Sequence, residues 1–592
     1  MEFKTFIDYL AIMILLWLTG FTIYLVCNHG IAHNARGQQF RRYLLGAICS
    51  TLPILITNTP ICQPSIFVIL FISFIWMLTY PLLYHLTNRK NSPDYDNQLD
   101  IAFGIYLFGW LTGILILIPS SIYVLSIIEF VLLMIAVSQY IYYLACKGCI
   151  NSSGMQIIQN TDYNEIIEFL RSYHPIKVFL VAGSIIILFV FSFWVNLHWP
   201  INTPTLHGWQ YIIAGAITLF ITIYIWKPNH GIFIRTGLAK LYCVVKEYVT
   251  NNNTYITNQQ QRINNLLVKE LSQPSNKPST IMMVIGESAS RDFMSAFTDV
   301  DVETTPWMSS LKKDKKHCMF FPNAYSCHVQ TVPTLEKVLT EYNQYEEGQF
   351  FSSCSIVDIA HKLGWKVHWY SNQGRLGAAD TPITLVAETA DVAKWTHQEL
   401  NKIQYDGNLI EFLNEVDPTQ NNLVVLHLIG SHFNFENRFP ESLRQWGKKG
   451  RNDNITNYKN SLYYTDTVLN RFHDYGTKHL NLQAMIYFSD HGCVPDRHRI
   501  PNFGGFGDTR IPLMIWLSDE YTQKHPNRAK ALQSNTQCYW TNDLTYELMC
   551  GIFDIESNCF KESNSLASTS YRFTREELVS MDGLIQIKND NK

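Results

Sequence analysis

Apolar residues crowd the first 226 positions in seven runs, at about 6–27, 43–59, 65–86, 101–118, 121–145, 177–197 and 209–226. Runs of roughly 17–25 apolar residues match the hydrocarbon thickness of a bilayer, and so many in succession do not fit the buried helices of a soluble domain. The first run is too long for a signal peptide and does not end in small residues, so it reads as an anchor. The run at 43–59 is short and broken by Pro53. Residues 43–86 therefore make one crossing or two, and residues 1–226 read as a transmembrane domain of six or seven spans.

The pattern changes at 227. Between Ile232 and Val249, Arg235, Lys240 and Lys246 alternate with Ile234, Leu238, Leu241 and Val245. That spacing predicts an amphipathic helix, lying on a membrane surface or bridging through solvent. Asn251 to Asn253 and Ser272 to Ser279 have turn composition, so residues 227–279 read as a connector with an interfacial helix. From residue 280 short apolar runs alternate with helical patterns. Thr280 to Ile285, Trp365 to Tyr370, Asn422 to Ile429, Ala484 to Phe488 and Ile511 to Trp516 read as buried strands of an α/β domain spanning 280–592. A parallel sheet is expected, with its ligands at the C-terminal ends of the strands.

Charge adds little. The formal net charge is -3, with no basic excess to hold nucleic acid. The thirteen cysteines say more. Cys318, Cys327, Cys354, Cys493, Cys538, Cys550 and Cys559 fall after residue 280, an odd number, so one stays unpaired if all bonds are internal. No Cys-x-x-Cys lies in that domain, against a cysteine-rich zinc site. Cys318–Cys327 or Cys550–Cys559 could close short loops outside the cytoplasm.

The chemistry gathers at strand ends. Glu287 follows the first strand in a Gly-Glu-Ser turn, and Asp490-His491-Gly492 follows the run at 484–488. Asp and His suit zinc, although Asp-His-Gly alone also reads as a polar turn. Thr331, with Pro333 behind it and Leu335, Val338 and Leu339 as an apolar face, marks a helix start. Backbone N–H groups there favour an anion. A hydroxyl at that place, bound to zinc, could ionise and attack phosphorus.

The order of these motifs resembles the phosphoethanolamine transferases of the alkaline phosphatase/sulfatase superfamily, over about 280–560. The matching stretches are Val284-Ile285-Gly286-Glu287-Ser288, Glu303-Thr304-Thr305-Pro306, Thr331-Val332-Pro333-Thr334, His427-Leu428-Ile429-Gly430-Ser431-His432, Arg438-Phe439-Pro440, Tyr487-Phe488-Ser489-Asp490-His491-Gly492 and Ile511-Pro512-Leu513-Met514-Ile515-Trp516. In look they sit nearest the subgroup that modifies lipopolysaccharide core sugars. The resemblance implies a polytopic α-helical membrane domain followed by a sulfatase/alkaline-phosphatase-like α/β domain. It implies Glu287, Asp490 and His491 as zinc ligands, with Thr331 as fourth ligand and nucleophile. Thr331-Val332-Pro333-Thr334 sits like the sulfatase Cys-x-Pro-Ser element, which favours Thr331 over its main rival Ser326, or Thr334. His432 would meet the phosphoryl group or a second zinc. Where the family carries an acid and later a His, this chain has Cys493 and then His498. That leaves one zinc or two open, and Cys493 as a soft ligand or a buried thiol. Arg497 or Arg499 could neutralise the phosphate.

The stretch from Asn160 to Glu165 looks like the family's loop between two spans on the catalytic side, bringing Asn164 and Glu165, beside Asp162, towards the donor's head group. This orientation puts 227 onward outside the cytoplasm, against the inside charges that Lys147, Arg171 and Lys177 would suggest. The N-terminus is inside with seven spans and outside with six. The family usually has five, so the chain carries extra N-terminal membrane sequence. The implied enzyme is a monomer in a bacterial inner membrane with its catalytic domain in the periplasm. It would take phosphoethanolamine from phosphatidylethanolamine and pass it to a lipopolysaccharide core sugar, lipid A or another envelope glycan. Alternatives are a glycerophosphate transferase, a sulfatase, or a non-catalytic sensor. A sulfatase wants Cys or Ser in Cys/Ser-x-Pro-x-Arg, which Thr331 and Leu335 do not provide. A sensor would have lost one of Glu287, Thr331, Asp490 or His491, and all four are present.

Overall fold

The computed structural model describes residues 3–27, 33–86, 97–146, part of 183–250, and 254–272, 277–373, 382–396, 403–449, 453–497 and 503–592. They belong to two compact units, the first reaching residue 247 and the second carrying the chain from 248 to its end.

The first unit is helical: α1 (Phe3–Cys27), α2 (His33–Thr57), α3 (Pro64–Leu86), α4 (Asn97–Leu117), α5 (Ile122–Cys146) and α6 (Gly208–Trp226). Five stretches are long and apolar enough to cross a membrane among the described residues: Phe6–Cys27, Pro64–Leu83, Leu99–Leu117, Pro119–Tyr140 and Gly208–Trp226. The run at 43–59 forms the second half of α2, whose first half carries Arg36, Arg41 and Arg42. Most of the run at 177–197 lies outside the described residues. Helix α4 is the most enclosed. A Cβ on its Gly109 would stand 2.5 Å from the Ser50 Cα of α2, a contact that only glycine allows. Two acids are buried among the described residues of this unit, Asp100 of α4 and Glu129 of α5. Glu129 of α5 accepts a hydrogen bond from Asn196 Nδ2 at 2.8 Å, and the same amide nitrogen lies 2.8 Å from Ser126 Oγ. A buried carboxyl needs such partners.

The second unit is built on a seven-stranded sheet. Its strands are β1 (Thr280–Gly286), β2 (Cys318–Phe320), β3 (Lys366–Ser371), β4 (Val392–Trp395), β5 (Asn422–His427), β6 (Leu482–Ser489) and β7 (Leu513–Leu517). They lie in the order β2-β7-β6-β1-β5-β3-β4. The expected parallel sheet is corrected to a mixed one. Strands β6, β1, β5, β3 and β4 are parallel, while β7 runs antiparallel to both β6 and β2. The central strands are buried end to end because helices cover both faces. On one face α7 (Thr331–Val338) packs with Phe488, Trp540 and Leu544. On the other lies the 26-residue α8 (Asn454–His479), whose Leu462, Val468, Leu469 and Phe472 meet Met282, Val284 and Met485. Residues 254–271, read above as connector, belong to this unit. Tyr255 is fully buried in its core, and Val268–Glu270 pairs antiparallel with Ile555–Ser557 beyond α9 (Thr545–Phe553).

Candidate active site

Strands β1 and β6 are parallel neighbours with Ile285 opposite Phe488 and Gly286 opposite Ser489. The next residues, Glu287 and Asp490, therefore leave the same edge of the sheet side by side. The turn after Glu287 is sharp. Ser288 holds φ at +58°, a left-handed conformation costing a non-glycine residue about 1 kcal/mol. Its neighbours fix it there: Ser288 N–H donates to Asp490 Oδ1 at 3.0 Å, and Tyr458 of α8 donates its hydroxyl to Ser288 O at 2.7 Å.

Glu287, Asp490 and His491 each present one ligand atom within 4.8 Å of the others, and all three are buried. His491 Nε2 lies 3.3 Å from Glu287 Oε1 and 3.4 Å from Asp490 Oδ2. Zinc–ligand bonds of about 2.0–2.1 Å in a tetrahedron give edges of about 3.3–3.4 Å, so these separations fit that ion. His491 Nδ1 donates to Gly492 O at 2.7 Å, which leaves Nε2 with its lone pair turned to the carboxylates. Asp490 Oδ1 accepts from the N–H groups of Ser288 and His491, whereas Oδ2 is buried with no hydrogen-bond partner. A carboxylate oxygen in that position is costly unless a cation meets it. Burial and then the Glu287 charge push the Asp490 carboxyl well above the usual carboxylate range, and His491 opposes them. On these observations the three residues fit a divalent metal.

Thr331 starts α7 and donates its hydroxyl to Glu287 Oε2 at 2.9 Å. Ser326 Oγ is buried without a hydrogen bond, and Thr334 Oγ1 donates to His328 O at 3.2 Å. His432 lies half-buried on the loop after β5, its carbonyl accepting from Arg438 Nε at 3.1 Å. Arg497 is engaged with the Asp508 carboxylate and the Gly504 carbonyl. Asn164, Glu165, His498 and Arg499 lie outside the described residues. Cys493 is half-buried and packs with the cluster that holds Tyr458 and Tyr487.

Three residues that frame the site, Gln373, Asp406 and Asn542, lie in none of the matching stretches. Gln373 Nε2 donates to Glu287 Oε2 at 3.3 Å and to Leu428 O at 2.7 Å. Asp406 accepts from the N–H groups of Ile429 at 2.8 Å and Gly430 at 2.9 Å, pinning the loop beneath Glu287. Gly430 itself, with φ +49°, lies against the Glu287 backbone. Asn542 joins the two halves of the site. Its Nδ2 donates to Asp490 O at 2.7 Å, and its Oδ1 accepts from Cys327 N–H at 2.8 Å. Below Glu287, burial pushes the His427 imidazole down to about 4, so it is neutral at neutral pH.

The sulfatase family profile matches residues 279–550. Phosphoethanolamine transferase EptC of Escherichia coli is 25% identical over 462 residues, covering 70% of this chain and 78% of that one. Phosphoethanolamine transferase CptA of Salmonella typhimurium is 24% identical over 534 residues, covering 81% and 90%. The integral membrane protein lipooligosaccharide phosphoethanolamine transferase A of Neisseria meningitidis shares the fold with a TM-score of 0.57 at 16% identity, covering 84% of this chain and 97% of that one. The chain is a membrane protein that carries a sulfatase-family domain over residues 279–550 and is similar along most of its length to phosphoethanolamine transferases.

Proposed function

We propose that this enzyme moves phosphoethanolamine from phosphatidylethanolamine to a lipopolysaccharide acceptor, a core sugar or lipid A, in two steps through Thr331. The observation that carries the reading is the Thr331 hydroxyl donating to Glu287 Oε2 at 2.9 Å, inside the Glu287–Asp490–His491 cluster. Those three residues and Thr331 would hold zinc, which when bound lowers the hydroxyl's pKa and draws charge from the phosphoryl oxygens. In the first step Thr331 Oγ attacks the donor phosphorus, and the bond to the diacylglycerol oxygen breaks. The hydroxyl proton leaves along the line to Glu287, and the diacylglycerol oxygen gains a proton. In the second step an acceptor hydroxyl or phosphate oxygen attacks the same phosphorus, the bond to Thr331 Oγ breaks, Thr331 takes back the proton from Glu287, and the proton of an acceptor hydroxyl returns to the group that protonated the diacylglycerol oxygen. A covalent relay suits two bulky amphiphiles that never have to be bound together. His432 and His498 would supply protons or steady charge, Arg497 would steady the phosphate, and Asn164 and Glu165 would meet the donor's ammonium. The catalytic unit would lie outside the cytoplasm of a bacterial inner membrane, where the acceptor is.

Intact-mass analysis of the full chain in detergent after incubation with phosphatidylethanolamine tests this. A phosphoethanolamine adduct is expected that maps to Thr331, needs zinc, vanishes with chelator and is absent in Thr331→Ala. Zinc-loaded, folded protein that gains no adduct would overturn the donor. Full transfer by Thr331→Ala with none by Ser326→Ala would overturn the nucleophile.

A further inference from the structure

Cys354 and Cys559 lie 205 residues apart in sequence, yet their sulfurs are in contact at 3.5 Å. Neither Cys318–Cys327 nor Cys550–Cys559 is the thiol pair that the fold brings together. The backbone around Cys354 is fixed. Cys354 N–H donates to Glu341 Oε1 at 2.9 Å, Glu341 N–H donates to Cys354 O at 3.0 Å, and Ile356 N–H donates to Leu339 O at 3.0 Å. Leu339 caps the C-terminal end of α7, the helix that Thr331 begins. Cys559 follows α9, and its N–H donates to Ser557 Oγ at 3.1 Å. The turn that leads into α9 contains Asn542, which holds Asp490 and Cys327.

We propose that Cys354 and Cys559 form a disulfide in the native protein, a staple between the far end of the nucleophile helix and the segment that follows α9. The inference rests on the reading that places this unit outside the cytoplasm, where thiols in contact are oxidised. From 3.5 Å the sulfurs must close by about 1.5 Å to reach a bond of about 2.05 Å, a movement within reach of side-chain rotation. The oxidant is a disulfide-bearing partner. One thiolate attacks it to give a mixed disulfide and releases one thiol. The second cysteine then displaces the other, so a Cys354–Cys559 bond forms, the partner's disulfide becomes two thiols, and two electrons pass to it. A soft cation held by Cys354, Cys559 and Glu341 is the competing occupant, since the three ligand atoms lie within 4.8 Å of one another. That set offers three ligand residues, one fewer than the four that close a structural zinc site.

The test uses the full chain, alkylated at lysis and digested without reductant. A peptide pair linked through Cys354 and Cys559 is expected. Reductant should lower the melting temperature of the wild type but not that of Cys354→Ser, Cys559→Ser or the double variant, and all three variants should melt alike. A second arm treats reduced, purified protein with oxidised glutathione. Free thiols from cells that close in this arm overturn the native disulfide and place the fault in the location reading. Free thiols in both arms overturn the pairing itself. A zinc ion lost with either serine variant overturns it in favour of a metal site.

Discussion

Gly430→Ala should disable the enzyme by moving one backbone atom. Gly430 holds φ at +49°, and a Cβ there would meet Glu287 O at 2.7 Å and Glu287 N at 2.8 Å. Ordinary contact begins near 3.4 Å, so the two segments must part by 3.4 − 2.7 = 0.7 Å. Neither side yields easily. Gly430 N–H is held by Asp406 Oδ2 at 2.9 Å, and Glu287 O accepts from Ser431 N–H at 2.9 Å. The left-handed conformation costs alanine about 1–2 kcal/mol, and overpacking adds about 1–3 kcal/mol, so a stability loss of about 2–5 kcal/mol is expected. The larger effect is on chemistry. A shift of this size at Glu287, the proposed metal ligand, should cost about 10²-fold in kcat. It should also lower the zinc retained after dialysis. Gly364→Ala is the control. Its φ is +74°, but nothing lies within 4 Å of the added Cβ, so it bears the conformational cost of about 1–2 kcal/mol without the contact. The assay is urea unfolding of the full chain in detergent, transfer rate, and zinc per chain for both variants. Equal stability losses with full transfer in both would refute the claim that the Gly430 contact positions Glu287.

Two more perturbations test the frame of the site. His427 is pushed down to about 4 from 6.5, so between those values the unfolded chain binds a proton that the native one refuses. Its contribution is present above pH 6.5 and is lost as pH falls towards 4, about 3 kcal/mol in all. The wild type should therefore lose about 2–3 kcal/mol more than His427→Leu between pH 7 and pH 4.5, and parallel stability curves would sink the assignment. Asn542→Ala strands Asp490 O and Cys327 N–H in the interior at about 1–3 kcal/mol each, so a loss of about 2–6 kcal/mol is expected, with kcat falling more than KM rises. Asn542→Asp keeps the acceptor for Cys327 and should retain more stability. A loss under about 0.5 kcal/mol in Asn542→Ala would show that the bridge does not hold the two halves together.

The sequence announced what local pattern carries. The run Thr280 to Ile285 is strand Thr280–Gly286, Ala484 to Phe488 lies in Leu482–Ser489, and the Thr331-Val332-Pro333 start is the first turn of α7. Strand direction was not legible. The run at 511–516 looks like the other strands, because a buried strand is apolar whichever way it points, and β7 proved antiparallel. The supports of the site were not legible either. Gln373, Asp406 and Asn542 sit in polar loops of ordinary composition, and their roles come from partners 55, 24 and 215 residues away. Which cysteines meet was not legible either: spacing favours neighbours in the chain, while the fold sets the sulfurs of Cys354 and Cys559 3.5 Å apart.

The central strands explain why the acids at the site stand together at all. Every residue of β1 and β6 is buried, so the alternation of side chains locks their register, and a slip of one residue would turn all of them to the opposite face. Given Gly286 opposite Ser489, the first residues past the strands must be neighbours, and both are acids. The core that fixes this placement gains nothing from it. Two buried carboxyls side by side repel each other, and the burial and neighbouring charge that raise the Asp490 pKa measure that conflict. A divalent cation reverses the sign of the arrangement, since each acid then becomes an attraction and Asp490 Oδ2 acquires its missing partner. Folding and metal binding would thereby be coupled through one strand register: the buried sheet forces the acids together, and a bound cation would remove the cost of keeping them there.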